Sequence, residues 1–322
     1  MTRRIDISSR TVVFITVFLL GLWITYQILD LILLLFVALI FMSALSPIVS
    51  FLQKLKFPKA LGIVIVYLLI IGLLGAALTI SFSPLIEQTS RLIQVLPNSI
   101  GNLLQIGNVD QSIFEKEIGN ITSNLFSYTR SILNNVLTIV LLLVLTFYLL
   151  LEKENLEKRA ASLFVGQEER IRKLLVNIEE KLGSWLRGQL LLSLIIGVLT
   201  FIGLTLLQIP YALPLAIWAG LLEVVPVIGP IIAAIPAILL SLTIAPVLAA
   251  GTAAMYFVIQ QLENHIIVPQ VMGKAVGLNP LVVILAIAVG GRLLGVGGAL
   301  LAVPLVVVGQ IIVTDILIAR KE

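Results

Sequence analysis

Two glutamates in an otherwise apolar stretch carry most of the chemistry available to this sequence. Between Gln208 and Ile318 the formal charges are Glu223, Glu263, Lys274, Arg292 and Asp315, joined by the sole histidine, His265. In a bilayer, a charged side chain at the centre of a helix costs about 2.5–3.5 kcal/mol on insertion scales, so a retained one points to an ion, a proton or a substrate. Glu223 opens the run E-V-V-P-V-I-G-P-I-I-A-A-I-P, in which Pro226, Gly229, Pro230 and Pro236 fall within eleven residues. Each proline removes an N–H and clashes with the preceding turn, so a continuous helix does not survive that density. Broken backbone at membrane depth persists only where protein buries it or it lines a watery cavity. Freed carbonyls and half-helix ends can then join the carboxylate around a cation. The alternative for Glu223 is a structural ion pair with Arg292.

A second polar cluster follows at Gln260, Gln261, Glu263, Asn264 and His265. Spacings of three and four place Gln260, Glu263 and Asn264 on one helical face. Histidine titrates near neutral pH, so the cluster suits a proton or an ion. Its alternative is a polar helix end at the membrane interface. A lone histidine beside one glutamate makes no metal site, and the absence of cysteine removes thiolate ligands and thiol catalysis. Neither a phosphate-binding G-x-x-x-x-G-K-[ST] loop nor H-E-x-x-H, G-x-S-x-G or a TVGYG filter occurs. The chain is therefore expected to be no enzyme, to need no cofactor, and to draw any energy from an ion gradient.

The broken run has a counterpart 68 positions on. Val227 to Pro236 can be laid on Gly295 to Pro304, with the glycine-to-proline spacing of seven kept between Gly229 and Pro236 and between Gly297 and Pro304. Gly298 falls opposite Pro230. Paired interruptions in two repeats are the best sequence pointer to a transporter's binding site.

These residues must be positioned by membrane helices. Of 322 residues, 59% are hydrophobic and 12% charged, about half the charge of an ordinary soluble domain. The first apolar segment lacks a small-residue cleavage site and is read as a span, not a signal peptide. Spans are expected over 11–29, 31–52, 60–82 and 132–151, each long enough for a core of roughly 30 Å. Residues 1–82 form an N-terminal three-span region. Residues 83–131 form a polar amphipathic segment, which either gates the protein or packs on a surface. Residues 152–187 form a charged amphipathic helix with eight Lys/Arg and seven Asp/Glu, and 188–322 form the transport region. Basic residues of the N-terminal tail, of 54–59, of 152–187 and of the C-terminal end all fall on one side, which predicts cytoplasmic termini and an outer 83–130. The net charge of +4 reflects this topology, not nucleic-acid binding.

Trp185-Leu186-Arg187-Gly188-Gln189, Pro226-Val227-Ile228-Gly229-Pro230, Gln261-x-Glu263 with Pro269 and Gly273, and Gly290-Gly291 through Gly297-Gly298 to Pro304 resemble, in this order, the autoinducer-2 exporter family. The likeness covers nearly the whole chain. It implies an all-α permease of the bacterial inner membrane, with about eight transmembrane segments, of which the two interrupted ones either re-enter or cross fully. It further implies a homo-oligomer, with export of autoinducer-2 in some members and sodium or lithium/proton antiport in others. Glu223, Pro226, Gly229, Pro230, Gln261, Glu263, Gly297 and Pro304 are the translocation residues it implies. The expectation is a secondary transporter for a small polar molecule, H+ or Na+. The rivals are a passive facilitator and a membrane scaffold.

Overall fold

A lone segment in lipid must satisfy its own backbone, which leaves helices or a closed barrel. The computed structural model describes residues 9–104, 136–226, 228–273 and 277–319, and no strand occurs among them. The helices are α1 (Ser9–Gln27), α2 (Leu29–Lys54), α3 (Lys59–Leu104), α4 (Val136–Ser162) and α5 (Glu168–Leu206). They continue as α6 (Ala212–Leu222), α7 (Ile228–Ile244), α8 (Pro246–Leu262), a π-helical turn (Glu263–Ile267), α9 (Val268–Met272) and α10 (Pro280–Ala319). Six of the described helices are long and apolar enough to cross a membrane, and α6 and α7 are shorter apolar helices. Of the polar segment 83–131, residues 83–104 belong to α3. The rest of it, the basic tail over residues 1–8 and Lys274 lie outside the described residues.

α5 is the spine. Pro47 inside α2 has no N–H to give to the Ser43 carbonyl, and Arg187 of α5 supplies the replacement. Its Nη1 donates to the Ser43 and Ala44 carbonyls at 3.2 and 3.3 Å, and its Nη2 to Ser184 Oγ at 3.2 Å. The helices meet this closely because residue 183 is glycine: a Cβ there would stand 2.4 Å from the Ser43 oxygen. Gly183→Ala is therefore expected to destabilise the fold by about 1–3 kcal/mol, the usual range for overpacking. Thermal unfolding of the detergent-purified protein reads the loss, and an unchanged midpoint would show that α2 and α5 part without cost.

Two helical hairpins lie against α5 from opposite ends. α6 runs antiparallel to it, with Ala216 beside Gly197, Gly220 beside Ser193 and Glu223 beside Gln189. α7 then turns back, and its Ala237 and Leu240 join Leu204, Leu215 and Tyr256 in one core. The tip of this first hairpin is the broken run after Glu223. The second hairpin is α10, which folds back at Leu294 (φ −132°) and Gly295 (φ 62°, ψ −145°), the latter a conformation that favours glycine. Its Ile287, Ala302 and Val307 pack on Leu182 and Trp185 of α5 and Ile40 of α2. Arg170 holds its far end through Asp315 at 2.6 Å. The leading arms, 212–222 and 280–293, rise only about 17 and 21 Å, short of a bilayer core. Both interrupted segments thus fold back on themselves.

The landmarks of the two hairpins coincide at one offset. α6 starts at Ala212 and α10 at Pro280; helix resumes at Ile228 and at Val296; Pro236 and Pro304 each follow eight residues into the returning arm. Every pair is 68 positions apart.

Candidate ion-binding site

Pro226 is the reason the chain breaks where it does. With no N–H at Pro226, the Leu222 carbonyl turns to the N–H of Val225 at 3.0 Å. Gly229 packs directly on that carbonyl, where a Cβ would fall 1.9 Å from the oxygen. Gln189 of α5, itself 2% exposed, donates its Nε2 proton to the Glu223 carbonyl at 2.7 Å. The break therefore has its backbone tied to the spine, and the Glu223 side chain is carried inward, 1% exposed.

Glu263 comes to meet it from α8. This helix also runs antiparallel to α5, with Met255 against Gly203 and, beyond the π turn, Met272 against Gly188. The π turn begins at Glu263, and π turns recur at functional sites because the extra residue redirects side chains. Glu263 is 4% exposed, and its carboxyl group lies within hydrogen-bonding reach of Glu223's. Gln260 donates its Nε2 proton to Glu263 Oε2 at 3.0 Å, whereas no donor reaches Glu223 Oε2. No salt bridge to either carboxyl occurs among the described residues. Two facing acids without a counter-charge suit one shared proton, or one cation in its place.

A cavity of about 200 Å³ adjoins the pair, and Pro230, Thr200, Tyr256, Gln260 and Glu263 line it among mostly apolar neighbours. Three further oxygens, Ser193 Oγ, Thr200 Oγ1 and the Tyr256 hydroxyl, are buried without a partner. None of these residues stood out in the sequence as a ligand. The signal was there in the spacing: Gln189, Ser193, Ile196 and Thr200 repeat at 4-3-4 on α5, and Tyr256, Gln260 and Glu263 at 4-3 on α8.

The remaining predicted residues part company from this site. Gln260 and Glu263 share the inward face as expected, but the π turn sends Asn264 outward, to be exposed with Gln261 and His265. His265 Nδ1 pairs with the Gln261 carbonyl at 3.0 Å, one turn back on its own helix. Arg292 is exposed beside the tip of the second hairpin and forms no ion pair with Glu223. The expected alternative for Glu223 is thereby removed. Gly298 and Pro304 are buried in the second hairpin and Gly297 is exposed on it, whereas Pro226 and Pro236 are half-buried in the first. Among the described residues, no group of three or more histidines and acids could hold a metal ion.

Comparison with known proteins bears on what this arrangement is for. The sequence profile of the family described as "AI-2E family transporter" matches residues 12–318. YrrI of Bacillus subtilis, provisionally named a transport protein, is 29% identical over 297 residues, covering 86% of this chain and 84% of YrrI. YhhT of Escherichia coli K12, named in the same provisional way, is 30% identical over 296 residues, covering 88% and 84%. A protein of Halobacillus andaensis named as a sodium-lithium/proton antiporter is 25% identical over 305 residues, covering 85% and 86%.

Proposed function

The chain belongs to the AI-2E transporter family, and from that premise we propose that it is a secondary transporter exchanging protons for sodium or lithium at Glu223 and Glu263. The observation that carries this reading is the pair itself: two buried carboxyl groups face each other at a helix break, one of their oxygens lacking a donor. With no cation bound, the pair retains a proton between its oxygens. A monovalent cation that enters displaces that proton, because the site cannot hold both charges in a medium of low dielectric. Competition for one site is all that antiport requires, provided the site opens to one side at a time.

The two hairpins supply the moving parts of this mechanism. With the termini cytoplasmic, the first hairpin enters from the outside and the second from the cytoplasm, as an inverted pair with the offset of 68. Rocking of one against α5 exposes the carboxyl pair to alternate faces. No covalent chemistry is involved, and no cofactor is called for. In a homo-oligomer, the outward Gln261, Asn264 and His265 meet a second copy or water in place of lipid, where polar groups are costly.

Export of a small polar molecule such as autoinducer-2 is the second reading, favoured by the volume of the cavity beside Glu263. A passive facilitator has no use for paired buried acids, and a scaffold none for the break at Pro226. The deciding experiment uses proteoliposomes with a pH dye inside, to which sodium, lithium and then autoinducer-2 are added. Proton movement on adding sodium or lithium supports exchange. Silence with both ions, together with uptake of autoinducer-2, transfers the assignment to the second reading.

A further inference from the structure

Helical Ser and Thr residues in lipid usually silence their hydroxyl by donating it to the carbonyl one turn back. This chain follows the habit at Ser43, Thr205 and Ser241, whose hydroxyls donate to Leu39, Phe201 and Ala237 at 2.7 Å each. Thr252 is occupied as well, through a 2.7 Å bond with Ser241. Thr200 departs from it. Thr200 is fully buried, at 0% exposure, yet its Oγ1 has no partner. Tyr256, another residue of the cavity lining, is 8% exposed, and its hydroxyl is equally partnerless.

Buried polar atoms are paired in the great majority of cases, so two orphaned hydroxyls on residues that line one cavity call for a partner. A hard cation meets that need, since the cavity's other polar side chains, the Glu263 carboxyl and the Gln260 amide, also offer it oxygen. An all-oxygen set of carboxylate, hydroxyl and amide suits a hard cation and not a soft one. The remaining walls, Ile196 and Ile259 among them, offer it nothing, so each hydroxyl counts for more than it would in water.

We propose that Thr200 and Tyr256 are neutral ligands of the transported cation and set its selectivity between sodium and lithium. The proposal rests on the exchange reading above and adds to it two residues that carry no charge. A smaller ion draws its ligands closer, and ligands fixed on two different helices, α5 and α8, resist being drawn.

The test compares wild type with Tyr256→Phe and Thr200→Val, which remove one oxygen each at nearly constant volume, and with Thr200→Ser, which keeps the oxygen. Sodium and lithium affinities are read twice, from proton release in proteoliposomes and from the rise in unfolding temperature that each ion produces in detergent. Each oxygen-deleting variant is expected to weaken sodium binding about tenfold, the effect of losing one hydrogen-bond-like contact to a charge. The sodium-to-lithium ratio should shift with it, and Thr200→Ser should restore wild-type values. Without ion, the two oxygen-deleting variants should be at least as stable as wild type, because an orphaned hydroxyl has gone. Wild type that releases no protons to either ion sinks the exchange reading and this proposal together. Wild type that exchanges normally, with both affinities and their ratio unchanged in Tyr256→Phe and Thr200→Val, overturns this proposal alone.

Discussion

Glu223→Gln is expected to reduce sodium-driven proton movement by at least about a hundredfold while leaving the protein folded. The size follows from two losses. A glutamine cannot release a proton, so a cation arriving at the site has one exchangeable partner fewer. It also replaces a charged ligand by a neutral one, which at about 1.5–3 kcal/mol for a contact with a charged group lowers affinity by about ten- to a hundredfold. The fold should tolerate the change, because the Gln189 bond that secures the break goes to the Glu223 backbone carbonyl, which every residue has. The new amide can donate to Glu263 and relieve the meeting of two acids. Unfolding temperature without ions is thus expected to stay or rise, and that separates a lost ligand from a lost structure. Glu263→Gln should behave alike, with the added loss of the acceptor for Gln260. Undiminished exchange in Glu223→Gln would remove the carboxyl pair from the mechanism.

Much of this site was legible in the sequence, but its assembly was not. Glu223 and Glu263 declare themselves by being ionisable in apolar runs, and Pro226 and Gly229 by breaking one of them. The apolar runs and the family resemblance give an all-helical membrane protein. What spacing along the chain does not give is that the two acids, forty positions apart, face each other. That depends on α8 returning along α5 and on a π turn, for which helical periodicity has no sign. At the same turn Asn264 and His265 face outward, although helical spacing and adjacency set them with Glu263. Gln189, Ser193, Thr200 and Tyr256 stayed hidden because each is an ordinary residue in a helix. Only against an opposing polar stripe does their spacing acquire meaning. Arg292 is the converse case: near-register with Glu223 in the offset of 68 says nothing of contact, and its side chain is exposed on its own hairpin.

The second hairpin makes the sharpest structural prediction, because neighbouring glycines in it should respond in opposite ways to one substitution. A Cβ at Gly298 would stand 2.1 Å from the Gly290 carbonyl oxygen, whereas a Cβ at Gly297 meets nothing within 4 Å. The contact at Gly298 is with backbone, which cannot rotate aside as a side chain would, so the arms must separate. Gly298→Ala is expected at or beyond the upper end of the usual overpacking cost of about 1–3 kcal/mol, with a clear fall in unfolding temperature. Gly297→Ala should be neutral or slightly stabilising, since glycine inside a helix is worse than alanine by roughly 0.5–1 kcal/mol. Equal behaviour of the two variants in detergent unfolding would mean that the arms do not meet at Gly290. The pair also addresses motion. Neither glycine touches the carboxyl pair, so a Gly298→Ala protein that remains folded at working temperature keeps Glu223 and Glu263 in place. If such a protein binds sodium normally but no longer moves protons across the bilayer, close approach of these arms is needed for the site to change sides, and the second hairpin belongs to the moving part.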